Sequence, residues 1–164
     1  MDKDLGHYQL AISKIRWCDT ILSRQTGIAV SYSSKLTLLK SECLIKNNEI
    51  QVAEKHLSNL WGGLVKSKFK NVEHKFIFDV NGSLQHCLKM LGKGLELRQL
   101  RNEFLGYCDG NDFIIEKINT IDKMAGDFER TNEWDSALTY YAEAVKLIED
   151  VEVNRKSAFN TFHV

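Results

Sequence analysis

No proline occurs anywhere in this chain, and that absence opens its whole length to uninterrupted helix. Proline removes a backbone donor and clashes with the preceding turn. A chain without it can run long helices joined by Gly, Asn and Asp turns. Proline-rich linkers are excluded, no interdomain hinge is evident, and residues 1–164 read as a single domain. Apolar residues recur at three- and four-residue steps. Over residues 5–24, Tyr8, Ala11, Ile12, Ile15, Cys18, Ile21 and Leu22 form one stripe, with Lys14, Arg16 and Arg24 off it. Thr26-Gly27 closes that helix. A second runs over about 28–46 with Leu36, Leu39, Cys43 and Leu44 inward, until Asn47-Asn48 breaks it. A third, about 49–65, carries Val52, Ala53, His56, Leu57, Leu60 and Trp61, and Gly62-Gly63 weakens its end.

The middle is harder to assign. In "HKFIFDVNGSLQ", residues 74–85, an alternating aromatic run meets Asn-Gly, a strong short hairpin signal. No second strand follows, and a lone strand cannot satisfy its backbone groups. The expectation is helix with an irregular turn at Asn81-Gly82. Leu95–Tyr107 and Phe113–Arg130 are two further helices parted by "CDGND". Glu133 to about Asp150 is the next, and a short amphipathic tail with Val153, Ala158, Phe159 and Phe162 closes the chain. The pattern predicts an all-α protein of at least six helices, antiparallel to their neighbours.

The 22 basic and 22 acidic residues cancel, so no global charge draws nucleic acid or an anionic membrane. Lys66, Lys68 and Lys70 make a local basic patch, read as a solvated loop. The start, "MDKDLGHYQL", has no apolar signal region, and no run reaches membrane-spanning length. Cys18, Cys43, Cys87 and Cys108 lie scattered in periodic segments and read as reduced core thiols, which suits a cytoplasmic protein.

From Ile118 to Glu149 small residues (Ala125, Ala137, Ala144) alternate with large ones (Met124, Phe128, Trp134, Tyr141, Leu147) as two crossing helices require. This resembles a tetratricopeptide repeat, two antiparallel helices in thirty-four residues. Ile121, Met124, Ala125 and Phe128 fall on the signature of its first helix. Asn132-Glu133-Trp134 fall on the turn and its aromatic, and Ala137, Tyr141 and Ala144 on the second helix. Ala125 stands where glycine is usual and Glu149 where proline is usual. A weaker copy aligns Ser41, Leu44, Ile50, Ala53 and Leu57, with Lys40 and Leu60 off pattern. The copies are 84 residues apart, so a regular array does not follow. The resemblance implies antiparallel hairpins stacked as an irregular tetratricopeptide-like bundle or short solenoid. The same periodicity also suits a plain helical bundle.

By the same resemblance the chain is a non-catalytic interaction module of adaptor, chaperone or inhibitor type. It would hold a partner protein or peptide along the first helix of each hairpin. The outward positions there are Lys35, Glu42 and Lys46 in front, and Asn119, Asp122, Glu129 and Arg130 behind, with Trp17 or Trp61 as an alternative location. Self-association stays open. The alternative is a small enzyme with a dispersed, motif-free site.

Motifs for chemistry are sparse. There is no Cys-x-x-Cys and no His-Glu-x-x-His, and the neighbours His86 and Cys87 point about 100° apart on a helix. "GKGLE", residues 92–96, lacks the Lys-Ser/Thr ending of a phosphate loop. Cys43 and His56 could meet across a hairpin as nucleophile and base, but both lie on apolar stripes and read as a core thiol and a hydrogen-bonded core histidine. Glu149-Asp150 belong to a solvated helix end. No cofactor, metal or catalytic residue is expected.

Overall fold

The computed structural model describes the backbone of residues 3–22 and 30–161, and side chains at 7–17, 20 and 32–153. Seven α-helices fill the described residues, with no strand among them: α1 (Lys3–Leu22), α2 (Val30–Lys46), α3 (Ile50–Lys66), α4 (His74–Met90), α5 (Gly94–Asp109), α6 (Ile114–Arg130) and α7 (Trp134–Thr161). The chain divides into two compact units, Met1–Leu97 and Arg98–Val164, with the boundary one turn into α5. In the first unit α1 packs on α2, α2 on α3, α3 on α4, and α2 also reaches α4. In the second, α6 and α7 form a long antiparallel pair.

One turn chemistry serves all five described connections. After each helix a residue turns left-handed, and the next N–H reaches back to a carbonyl five residues earlier. Glu49 donates to Leu44 O (2.8 Å), Phe69 to Leu64 O (2.9 Å), Lys93 to Leu88 O (2.9 Å), Phe113 to Cys108 O (3.1 Å) and Glu133 to Phe128 O (2.9 Å). These bonds satisfy carbonyls that a helix end leaves open. The left-handed residues are Asn48, Lys68, Gly92, Asp112 and Asn132. Four of the five are Asn, Asp or Gly, the types that tolerate this conformation.

Burial follows the stripes with four corrections. Leu38, not Leu39, is buried on α2 together with Ser41 and Leu44, and Leu39 is 48% exposed. Val52 likewise faces outward from α3. The expected break at Asn81-Gly82 is absent, because α4 runs straight through it. Phe76, Ile77, Val80, Leu84, Cys87 and Leu88 are all buried there, and burying a continuous helical stripe outweighs a local turn preference of about 1 kcal/mol. Asn81 is itself buried, accepting a hydrogen bond on Oδ1 from Gln85 Nε2 at 2.6 Å. Finally, the expected tail is no separate element: α7 continues to Thr161. Phe162, Thr26-Gly27, and the side chains of Cys18, Ile21, Leu22, Ala158 and Phe159 lie outside the described residues.

In the second unit Ala125, Ala137 and Ala144 are buried where α6 and α7 pair. Phe128 stacks on Tyr140 with centroids 5.3 Å apart. Arg98 lies 4.2 Å over the Phe128 ring and pairs with Glu133 at 2.7 Å. Trp134, expected as a plug, is instead 55% exposed. It opens α7 and shares an outward face with Leu138, Val145 and Ile148, one side of the helix at 3.6-residue spacing.

Candidate functional site

A concavity forms where α3 ends and the chain crosses to α4, a cleft of about 420 Å³ within the first unit. That volume lies in the range of ligand-binding clefts, roughly 300–1,000 Å³. One wall is the last turns of α3, with Asn59, Leu60, Gly63 and Leu64. Gly63 leaves it open: a Cβ there would meet nothing within 4 Å. Ser34 and Lys35 of α2 form a second wall, and Phe76 of α4 closes the apolar side.

The rim is the connection 67–73, the longest of the five. Ser67 caps α3, its N–H bonded to Gly63 O at 3.0 Å and its Oγ donating to Leu64 O at 2.8 Å. Lys68 and Phe69 are both left-handed, φ 50° and 56°, and Asn71 follows at 56°. This conformation costs an L-residue about 1–2 kcal/mol, and only Asn71 belongs to a type that visits it readily. Two contacts hold the unfavourable pair. Phe69 N–H closes the turn on Leu64 O, and the Phe69 ring meets Trp61 at 5.5 Å and 58°. Trp61 is therefore a buried buttress for the rim and not a groove surface.

Past Asn71 the backbone extends, and Glu73 precedes α4 at φ −63°, ψ 131°. Its carbonyl accepts from Ile77 N–H at 3.3 Å, while its carboxylate accepts from Lys35 Nζ at 3.1 Å. Both partners of that ion pair are well exposed. Such a pair contributes between about 0 and 1 kcal/mol, but it ties α2 to the rim across the cleft mouth.

The expected site residues fall in three places. Lys35 lines the cleft. Glu42 and Lys46 are exposed further along α2, outside it. Asn119, Asp122, Glu129 and Arg130 are exposed on α6 in the second unit. Glu129 accepts a hydrogen bond from Tyr141 OH at 3.1 Å, and Arg130 pairs with Asp127. Trp17 is 68% exposed on α1.

Asn59, Gly63, Asn71 and Val72 carried no signal as site residues in the sequence. Their trace was indirect, in a diglycine near a helix end and a lysine-rich stretch between two helices.

For chemistry, burial and then the charge of Glu42 push the Cys43 thiol up from its ordinary value, which opposes a thiolate nucleophile. Burial and nearby Glu54 likewise push Cys87 up to about 11. Among the described residues no group of three or more His, Cys, Asp or Glu side chains is arranged to hold a metal ion, and no helix is long and apolar enough to cross a membrane. Compared with known proteins, the chain matches no family model, no curated protein and no solved structure.

Proposed function

We propose that this chain is a protein-interaction module and that the cleft at the end of α3 holds a segment of its partner. The observation that carries this reading is the make-up of the cleft. Leu60, Leu64 and Phe76 give an apolar interior, while Lys35, Asn59, Lys70 and Asn71 set polar groups around it. Apolar walls with a few placed polar groups are what recognition sites use. The side chains there are suited to holding a ligand, and the acid present, Glu73, is engaged by Lys35.

Stacked tetratricopeptide-like hairpins remain our reading of the scaffold. Support comes from the turns after α2, α4 and α6, whose left-handed residues Asn48, Gly92 and Asn132 lie 44 and 40 residues apart. The turn at Gly92 thus divides the 84-residue separation of the two sequence copies. A buried residue follows each turn at the same offset: Ala53, Leu97 and Ala137. The period exceeds thirty-four, and the same turn also joins α3 to α4 and α5 to α6, so the repeats would be long and irregular.

The test uses the open space at Gly63. Gly63→Leu adds a side chain into the cleft from a helix that tolerates it. Affinity capture from the native host, quantified for wild type and this variant at equal thermal stability, should show a partner that wild type retains and Gly63→Leu loses. Identical partner profiles would refute the cleft as the binding site. Charge reversal at Lys46 and Arg130 tests the groove that the repeat resemblance implies, and should leave capture unchanged.

A further inference from the structure

The chain has no net charge, yet the stretch that carries the cleft rim, with the helix ends flanking it, is basic. Residues 66–75, "KSKFKNVEHK", hold four lysines against one glutamate, and that glutamate already pairs with Lys35. Lys66, Lys68, Lys70 and Lys75 are all exposed, and Lys70 lines the cleft directly. Resting on the reading above, we infer that the segment taken by the cleft is acidic and extended, with one apolar side chain as its anchor.

Three features carry this. First, the lysines sit on a rim whose shape is already set. Lys68 and Phe69 are held left-handed by the Leu64 hydrogen bond and the Trp61 ring. A preformed rim presents its charges without a further ordering cost when the ligand arrives. Second, Asn59 and Asn71 each offer both a donor and an acceptor to the backbone of an extended segment. Third, the space at Gly63 is open, with nothing within 4 Å of a Cβ placed there, and Leu60 and Leu64 beside it give an anchor apolar surface. Charge on the rim then steers and selects, and the buried anchor supplies affinity.

The same lysines also attract nucleic acid. Single strands are held by stacking on exposed aromatic faces beside the basic groove. Here the apolar lining is aliphatic at Leu60, Leu64 and Val72, the aromatic Phe76 is buried, and the Phe69 ring is turned onto Trp61. A peptide anchor suits this lining better than a base.

Fluorescence anisotropy with the full chain tests the inference. The probe is a labelled peptide of about ten residues, glutamate and aspartate with one central leucine. Controls are the same peptide with serine for leucine, a neutral peptide, and an oligothymidine of matched charge. The acidic leucine peptide should bind in a salt-sensitive manner, and the serine version at least about fivefold more weakly. Lys68→Glu with Lys70→Glu should weaken binding about tenfold or more, whereas the double arginine variant retains it. Gly63→Leu should abolish the advantage of leucine over serine.

No preference for the acidic over the neutral peptide would overturn the inference. So would charge-reversed binding within about twofold of wild type, or tighter binding of the oligothymidine through the same lysines. If Gly63→Leu loses the captured partner while the acidic peptide fails to bind, the interaction reading stands and the acidic ligand falls.

Discussion

Arg101 and Asp127 form an ion pair withdrawn from solvent, the guanidinium 3% and the carboxylate 13% exposed. Arg101 also donates to Lys123 O at 3.0 Å, and Asp127 takes Arg130 on its other oxygen. Burial, then the neighbouring Arg130 charge, brings Arg101 down to about 10. Desolvating this pair is costly, so its net contribution is small, but an orphaned partner is not. Asp127→Ala should destabilise the protein by about 3–5 kcal/mol. Arg101→Leu should be milder, since Asp127 is partly exposed and keeps Arg130 on its other oxygen. Urea denaturation of both variants checks this, and equal losses would contradict it.

The α6–α7 crossing makes a second expectation. Ala137 is buried with Ala125 and Ala144 where the helices pair. Ala137→Leu should overpack it and lower stability by about 1–3 kcal/mol. An unchanged melting temperature would mean that the crossing has room to spare.

How much of this was legible beforehand depended on what each residue had to satisfy. Ile12, Ile15, Leu44 and Leu57 announced themselves through spacing alone, because burial on one helix face has a period, whereas Ile121 and Met124 were placed by the repeat signature. Asn48, Asp112 and Asn132 announced the turns, because few residue types sit left-handed. Trp134 misled because a large aromatic after a turn is expected to plug a gap, and here it caps an open face of α7. The cleft was the least legible feature. It depends on Lys68 and Phe69, two residues with no left-handed preference, being forced there by Trp61, a tertiary contact that no local pattern carries.

Gly82 tests the continuity of α4. Its φ is not left-handed, and a Cβ there would meet nothing within 4 Å. Gly82→Ala should therefore stabilise the protein by about 0.5–1 kcal/mol, as alanine does in a helix interior. A loss of that size in thermal denaturation would restore the turn that the Asn-Gly pair advertises.

The buried thiols set an alkaline limit. Burial, with nearby acidic groups, pushes both Cys87 and Cys108 up to about 11 from 9.0. Below pH 9 both folded and unfolded chains keep these protons, and stability does not respond to them. Between pH 9 and 11 the unfolded thiols ionise first, so the unfolded state releases protons and gains population. The melting temperature should fall across that window, and Cys87→Ala with Cys108→Ala should flatten the slope. A slope unchanged by the double substitution would assign the loss to other groups. At neutral pH both thiols should resist alkylation until the protein unfolds.

The claim that the cleft holds a partner is tested most directly by hydrogen exchange on the complex with whichever protein Gly63 discriminates. Binding should slow exchange in residues 59–76, strongest along the 67–73 rim, and leave the distal turn of α2 with Glu42 and Lys46 unaffected. Protection confined to that turn, to Asn119–Arg130 of α6, or to the open face of α7 would contradict the cleft and move the site elsewhere.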